Sequence, residues 1–379
     1  MIEKVAIQNY RCHKSVSLEG LGRINLLVGK NNSGKTAALE ALSLLFPLMP
    51  IPDLLAALNA LRGYPSGSNS SEIWSSFFYN WESENAIVVE AEGFARHEAK
   101  HEKYNLRISP ITVSDAQNGF RYPVSPTGNE PTLQTSLPAV VENTDSLKQV
   151  SGLNFIYDLK DSTDPKQKIN VPVISLAPNQ GGFADLQSIK KLPAAFLPSR
   201  GIHNPQSEAL RYSKLEIERR TGEVLSVLQT LDPRIKNLHL LATEKEPRIG
   251  FYADIGDPHL MPLALMGDGM LRILSIALSM ATTRGGLVLV DEIESGLYYS
   301  SLPKVWSMLS QTARKLDIQV FATTHSEECI RSAHNALTNI ENLNDLRIYR
   351  FDLIDGHTRA VYYSPEEISA AIETDIEVR

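Results

Sequence analysis

Ile24-Asn25-Leu26-Leu27-Val28 runs straight into Gly29-Lys30-Asn31-Asn32-Ser33-Gly34-Lys35-Thr36, and the apolar stretch Ala37–Phe46 follows without a break. The first five residues read as a buried strand. The last ten read as a helix stopped by Pro47 and Pro50. Between them the octet fits G-x-x-x-x-G-K-[ST], in the strand-to-helix setting this pattern requires. Its glycines let the backbone wrap closely, so that loop amides and the helix N-terminus face phosphate oxygens. Gly29, Lys30, Asn31, Asn32, Ser33 and Gly34 are the expected phosphate cradle. Lys35 would reach the β- and γ-phosphates of ATP, and the Thr36 hydroxyl would bind Mg²⁺.

Leu287-Val288-Leu289-Val290-Asp291-Glu292 is a second such delivery, an apolar strand with two acids at its carboxyl end. Ligands of open α/β sheets bind at that edge. Asp291 fits the Mg²⁺-linked carboxylate and Glu292 the base that polarises an attacking water. Taken alone, the pair reads equally well as solvated acids; beside a phosphate loop it reads as chemistry. Gly267-Asp268-Gly269 precedes an apolar helix over Gly269–Thr283 and reads, by itself, first as a capped turn. Val320–Ser326 carries His325 just past another strand, and a lone histidine is more often structural than catalytic.

Away from these segments, strands are expected at Val5–Ile7 and Val16–Leu18 around a polar turn at Asn9–Lys14. A short helix over Asp53–Arg62 and strands at Ala86–Gly93 and Tyr104–Val113 come next. Gly63–Ser71 and Val124–Asp164 read as loops or irregular β structure. Glu208–Leu231 is the longest helical pattern, too short for a coiled-coil arm. From Ala194–Leu197 onward, strands (Gly286–Val290, Ile318–Ala322) alternate with helices (Gly269–Thr283, Leu302–Leu316), which implies a mostly parallel sheet. Leu346–Leu353 and Thr358–Tyr363 read as a hairpin turning at Asp355-Gly356. The composition, 42% hydrophobic and 21% charged, excludes disorder and collagen-like structure. A net charge of −7 argues against binding nucleic acid through bulk positive charge. Two cysteines, Cys12 and Cys329, form neither a disulfide framework nor a metal cluster. No signal peptide or membrane span is read, so a cytoplasmic protein with no membrane partner is expected.

In this order, the four segments resemble the heads of ABC-type ATPases. The likeness is nearest to the OLD-family (overcoming lysogenization defect) proteins and their compact AAA-type ATP-binding relatives, with RecF and SMC-like heads further off. Val5–Arg11 resembles that branch's opening strand and turn, and Gly267-Asp268-Gly269 its degenerate signature loop. Asp291–Leu297 resembles its Walker B and D-loop, Thr323–Ser326 its switch histidine, and Tyr363–Glu367 with Ile376–Arg379 its tail. The resemblance implies an α/β fold: a P-loop ABC-type head with mixed β-sheet and helices, split over 1–46 and 190–379, plus an irregular α/β insertion at 47–189. It implies ATP hydrolysis with Glu292 and His325 as catalytic residues and Mg²⁺ on Thr36 and Asp291. Two chains would sandwich two nucleotides, each offering Gly267–Met270 to the other's ATP, as a homodimer or larger homo-oligomer. A separately encoded nuclease or toxin would be the effector, in antiphage defence or DNA maintenance.

Gly267 stands where transporter-type heads place serine, so a contact in trans would use backbone amides and the helix dipole. Tyr298 stands where these relatives often carry histidine. No Q-loop glutamine is assigned; Gln149, Gln180 and Gln187 lie in weakly patterned sequence, and Arg200 is a further phosphate candidate. Arg211, Lys214, Arg219 and Arg220 read first as a solvated helix face and second as a DNA contact. A nuclease fused to the ATPase is disfavoured, since 54 residues follow His325 in a chain of 379. Acids such as Asp161, Asp164, Asp254, Asp257, Asp352 and Asp355 sit in turn-like contexts. An ATP-gated scaffold holding a toxin or nuclease with little turnover, and a RecF-like DNA-repair clamp, stand as the alternatives.

Overall fold

The computed structural model describes residues 1–47, 49–64, 71–95, 100–112, 150–160, 167–173, 192–199, 205–243 and 246–374. Gln149, Asp161, Asp164, Gln180, Gln187, Arg200 and the stretch 376–379 lie outside them. The chain forms two compact units. One comprises Met1–Glu19, Glu40–Lys191 and Ile354–Thr358, and the other Gly20–Leu39, Leu192–Leu353 and Arg359–Arg379.

The first unit is built on an antiparallel sheet of β1 (Ile2–Tyr10), β2 (His13–Glu19), β4 (Ile87–Ala95), β5 (Lys100–Thr112), β6 (Val150–Lys160) and β7 (Gln167–Val173), in the order β2-β1-β4-β5-β6-β7. Two of these strands fall in or beside sequence read as irregular, because scattered polar residues hide an alternation in which Leu153, Phe155 and Tyr157 are buried. The first hairpin is tighter than expected. Asn9 (φ 56°) still belongs to β1, and only Arg11 and Cys12 turn the chain. Helices α2 (Ile51–Ala60) and α3 (Ser71–Ser75) supply Ile51, Leu54, Leu55, Leu58, Ile73 and Trp74 to the core. Glu40 is buried here, where its carboxylate accepts from Tyr10 Oη (3.1 Å), Arg11 Nε (3.3 Å) and Arg62 (2.8 Å). The Arg11 guanidinium also lies 4.3 Å from the Phe77 ring centroid.

The second unit carries the βα alternation. Its main sheet has the order β15-β14-β3-β13-β12-β8, with β3 (Ile24–Val28), β8 (Ala194–Leu197), β12 (Leu287–Val290), β13 (Gln319–Thr323), β14 (Leu346–Ile354) and β15 (His357–Tyr363). From β14 to β8 every pairing is parallel. The β14–β15 turn, whose residues Ile354–Thr358 group with the first unit, has Asp355 at φ 50° and Gly356 at φ 76°, as a two-residue hairpin turn demands. Around the sheet lie α4 (Pro205–Ile217), α5 (Thr221–Leu231), α6 (Asp268–Thr282), α7 (Leu302–Lys315), α8 (Glu327–Asn339) and α9 (Pro365–Glu373). A smaller sheet of β9 (Asn237–Thr243), β10 (Glu246–Asp254) and β11 (Met261–Pro262) completes the unit. The core is continuous from Ile24, Leu26 and Val28 through Val288, Val290, Val320 and Ala322 to Ile273, Leu274 and Trp306.

The single helix read over Glu208–Leu231 is two. Arg219 takes φ 55°, its amide bonds the Glu216 carbonyl, and the Arg220 amide bonds the Leu215 carbonyl at 2.8 Å. That is a Schellman ending with arginine in the position usually held by glycine, so the sequence carries no break signal. The basic face expected here divides as well. Arg211 donates to Ser279 Oγ and Arg220 to Glu218, Glu223 and the Ala281 carbonyl, while Lys214 and Arg219 are exposed. Among the described residues no helix is long and apolar enough to cross a membrane.

Candidate functional site

Parallel register brings the sequence-predicted residues together. Val290 lies level with Leu197 on one side and Ala322 on the other, and Ala322 lies level with Leu26. Asp291 and Thr323 therefore leave the sheet as neighbours, and the loop after β3 rises beside them. This is the carboxyl edge where open α/β sheets hold ligands.

Gly29 opens the loop at φ +136°, and a Cβ there would lie 2.5 Å from the Phe351 carbonyl oxygen, so only glycine fits. Asn32 (φ 64°) and Gly34 (φ 98°) complete the wrap, with Ser33 buried and Lys30, Asn31 and Asn32 exposed. α1 (Lys35–Leu45) begins at the lysine of the G-x-x-x-x-G-K-[ST] pattern itself. Lys35 Nζ donates to the carbonyls of Gly29 (2.7 Å) and Lys30 (2.8 Å), which holds the ammonium inside the loop. Burial lowers its pKa, and the charges of Asp291, Glu292 and Glu294 oppose that shift.

Thr36 Oγ1 donates to Asp291 Oδ1 at 2.8 Å, across 255 residues of sequence. Thr323 Oγ1 donates to the same oxygen at 2.6 Å and accepts the Glu292 N–H at 2.8 Å. Glu292 has φ 44°, and its side chain is 43% exposed. His325 Nδ1 stands 4.0 Å from Glu292 Oε1 and 3.6 Å from Glu294 Oε1. Glu294 Oε1 in turn accepts from the Thr324 hydroxyl (2.6 Å) and the His325 amide (3.3 Å). Lys35, Thr36, Asp291, Glu292 and His325 thus form one cluster.

Gly267, Asp268 and Gly269 stand outside those bonds. Gly267 (φ 100°, ψ 160°) caps α6, Gly267 and Asp268 are exposed, and a Cβ on Gly269 would lie 2.8 Å from the Gly296 carbonyl oxygen. Gly269 therefore packs on the segment that follows Glu292, within the same chain. Three residues with a structural part here went unread in the sequence: Thr323, Glu294 and Arg272. An arginine inside the apolar run Met270–Ile276 was the one visible signal, since an unpaired charge there would be costly.

The sequence family described as "AAA domain, putative AbiEii toxin, Type IV TA system" matches residues 139–331, just over half of the chain. The chain belongs to this AAA family. A second family, described as "AAA ATPase domain", matches residues 1–109. Among curated proteins, an ATP/GTP phosphatase of Helicobacter pylori is 23% identical over 394 residues, which cover 99% of both chains. The DNA double-strand break repair Rad50 ATPase of Methanopyrus kandleri is 54% identical over 48 residues, or 12% of this chain and 6% of that one. Among solved structures, an SMC head bound to the C-winged helix domain of ScpA covers 97% of this AAA chain and 99% of its own, with a TM-score of 0.53 and 14% identity. The fold is thus that of an ABC/AAA-type ATPase head, and the family is one of ATPases.

Proposed function

We propose that this chain binds ATP with Mg²⁺ at the Gly29–Thr36 loop and hydrolyses it. The observation that carries this reading is the Thr36–Asp291 contact, because it joins a phosphate loop and a strand-end acid at one point. Both are hard oxygen donors suited to Mg²⁺, which would neutralise charge on the bridging phosphates. Lys35 would exchange its two loop carbonyls for β- and γ-phosphate oxygens. Glu292, half exposed at the mouth of the cluster, would orient water and take its proton. His325, held by Glu294, would contact the terminal phosphate. The exposed Gly267–Gly269 turn would serve a nucleotide held by a second copy, so a homodimer is part of the proposal.

The output would be control of a separate effector protein, in antiphage defence or DNA maintenance of the OLD-like kind. Residues 47–189, taken as the insertion between the two halves of the head, would be its docking region. The short match to Rad50 favours a second reading, a DNA-repair clamp, and ATP-dependent binding of duplex DNA would distinguish it. Melting of wild type and Lys35→Ala with and without ATP·Mg²⁺ tests the nucleotide site. A ligand at 100 times its Kd stabilises a fold by about 2.7 kcal/mol. Wild type should therefore melt several degrees higher with nucleotide and the variant should not; equal shifts would reject the site.

A further inference from the structure

Arg272 lies on the first turns of α6, buried among the apolar residues of that helix. One arm of its guanidinium donates to the carbonyl oxygen of Asp291 at 2.6 Å, and the other to that of Pro198 at 2.9 Å, just past the end of β8. The remaining polar atom of the Asp291–Glu292 peptide, the Glu292 N–H, donates to Thr323 Oγ1 at 2.8 Å. Both ends of this one peptide are therefore anchored, by side chains from two different elements. The residue it feeds, Glu292, has φ 44°, a conformation L residues avoid unless their surroundings impose it. Because φ decides where Cβ points, the orientation of this peptide decides where the Glu292 carboxylate stands.

We infer that Arg272 is a positioning residue for Glu292: its fork fixes the Asp291–Glu292 peptide against the end of β8 and so aims the carboxylate. A planar guanidinium spans two carbonyls at once, whereas an ammonium on a flexible stem reaches one well. Arg272 also belongs to the helix that starts at Gly267–Gly269, so a displacement of that helix would be passed to the Asp291–Glu292 peptide through the hydrogen bond to the Asp291 carbonyl. The kinetic consequence rests on the ATPase reading; the geometric claim does not.

The test uses full-length Arg272→Met and Arg272→Lys. A nucleotide-free crystal structure of Arg272→Met should show the Asp291–Glu292 peptide turned and the Glu292 carboxylate displaced, with Asp291 still on Thr36. In kinetics, kcat should fall about 10- to 100-fold with KM for ATP nearly unchanged, and Arg272→Lys should recover part of the loss. On a Glu292→Gln background, Arg272→Met should lower the residual rate no further. A peptide that keeps its orientation, or an equal fold-loss on both backgrounds, would overturn the inference. If Arg272→Met does not fold, the structure and rates of Arg272→Lys decide in the same way. A wild type that releases no phosphate would count against the ATPase reading, while the peptide orientation in the variant crystal would still decide the positioning claim.

Discussion

Glu40 shows how a single buried charge is held. Its carboxylate is 1% exposed and faces Arg11, whose side chain is 6% exposed, together with Arg62 and the Tyr10 hydroxyl. Burial together with the Glu40 charge pushes the Tyr10 hydroxyl well above the usual phenol range, so it stays a donor. Glu40→Ala would leave Arg11 buried without its anion, a loss of about 3–5 kcal/mol. Urea unfolding of Glu40→Ala should show that loss, and Arg11→Leu with Glu40→Ala should regain part of it. A double variant as unstable as the sum of the two singles would contradict the pairing. Neither Glu40 nor its partners was legible in the sequence, because they lie 29 and 22 residues apart along the chain and no motif fixes that spacing. By contrast, Lys35 and Thr36 hold fixed places in a loop motif and Asp291 ends an apolar strand, so the sequence singles them out, and the structure joins Thr36 to Asp291.

At the level of elements, apolar patterning located the strands of the parallel sheet to within a residue or two, since β3, β12 and β13 are buried throughout and read as short, largely apolar runs. It failed at the α4–α5 junction, where arginine rather than glycine occupies the left-handed position. Arg219→Gly should therefore raise stability by about 0.5–1 kcal/mol, the relief of a left-handed side chain less the added freedom of the unfolded chain. A lower urea midpoint in that variant would mean the exposed arginine makes a stabilising contact that outweighs its strain. The antiparallel strands β6 and β7 were hidden for a different reason. In β6 the buried Leu153, Phe155 and Tyr157 alternate over only a few residues and Ser151 and Asn154 blur the pattern, while β7 is short and intersperses Gln167, Lys168 and Asn170 with its apolar residues.

For the whole molecule, composition said nothing of the division into two units, which the chain crosses at Gly20, Glu40, Leu192, Ile354 and Arg359. The family match and the shared fold give an ATPase head; the identity of a partner follows from neither, because exposed surface chemistry is not fixed by the fold. ATP turnover is proposed for the Lys35–Thr36–Asp291–Glu292 cluster. Its most direct measurement is phosphate release by purified wild type and Glu292→Gln with ATP·Mg²⁺, with sedimentation of both proteins in the same buffer. An amide keeps the shape of the side chain but cannot take a proton from water. Wild type should release phosphate, and Glu292→Gln should release it about 10²- to 10⁴-fold more slowly while still binding ATP and collecting as an ATP-dependent dimer. Equal phosphate release by the two proteins would contradict the account.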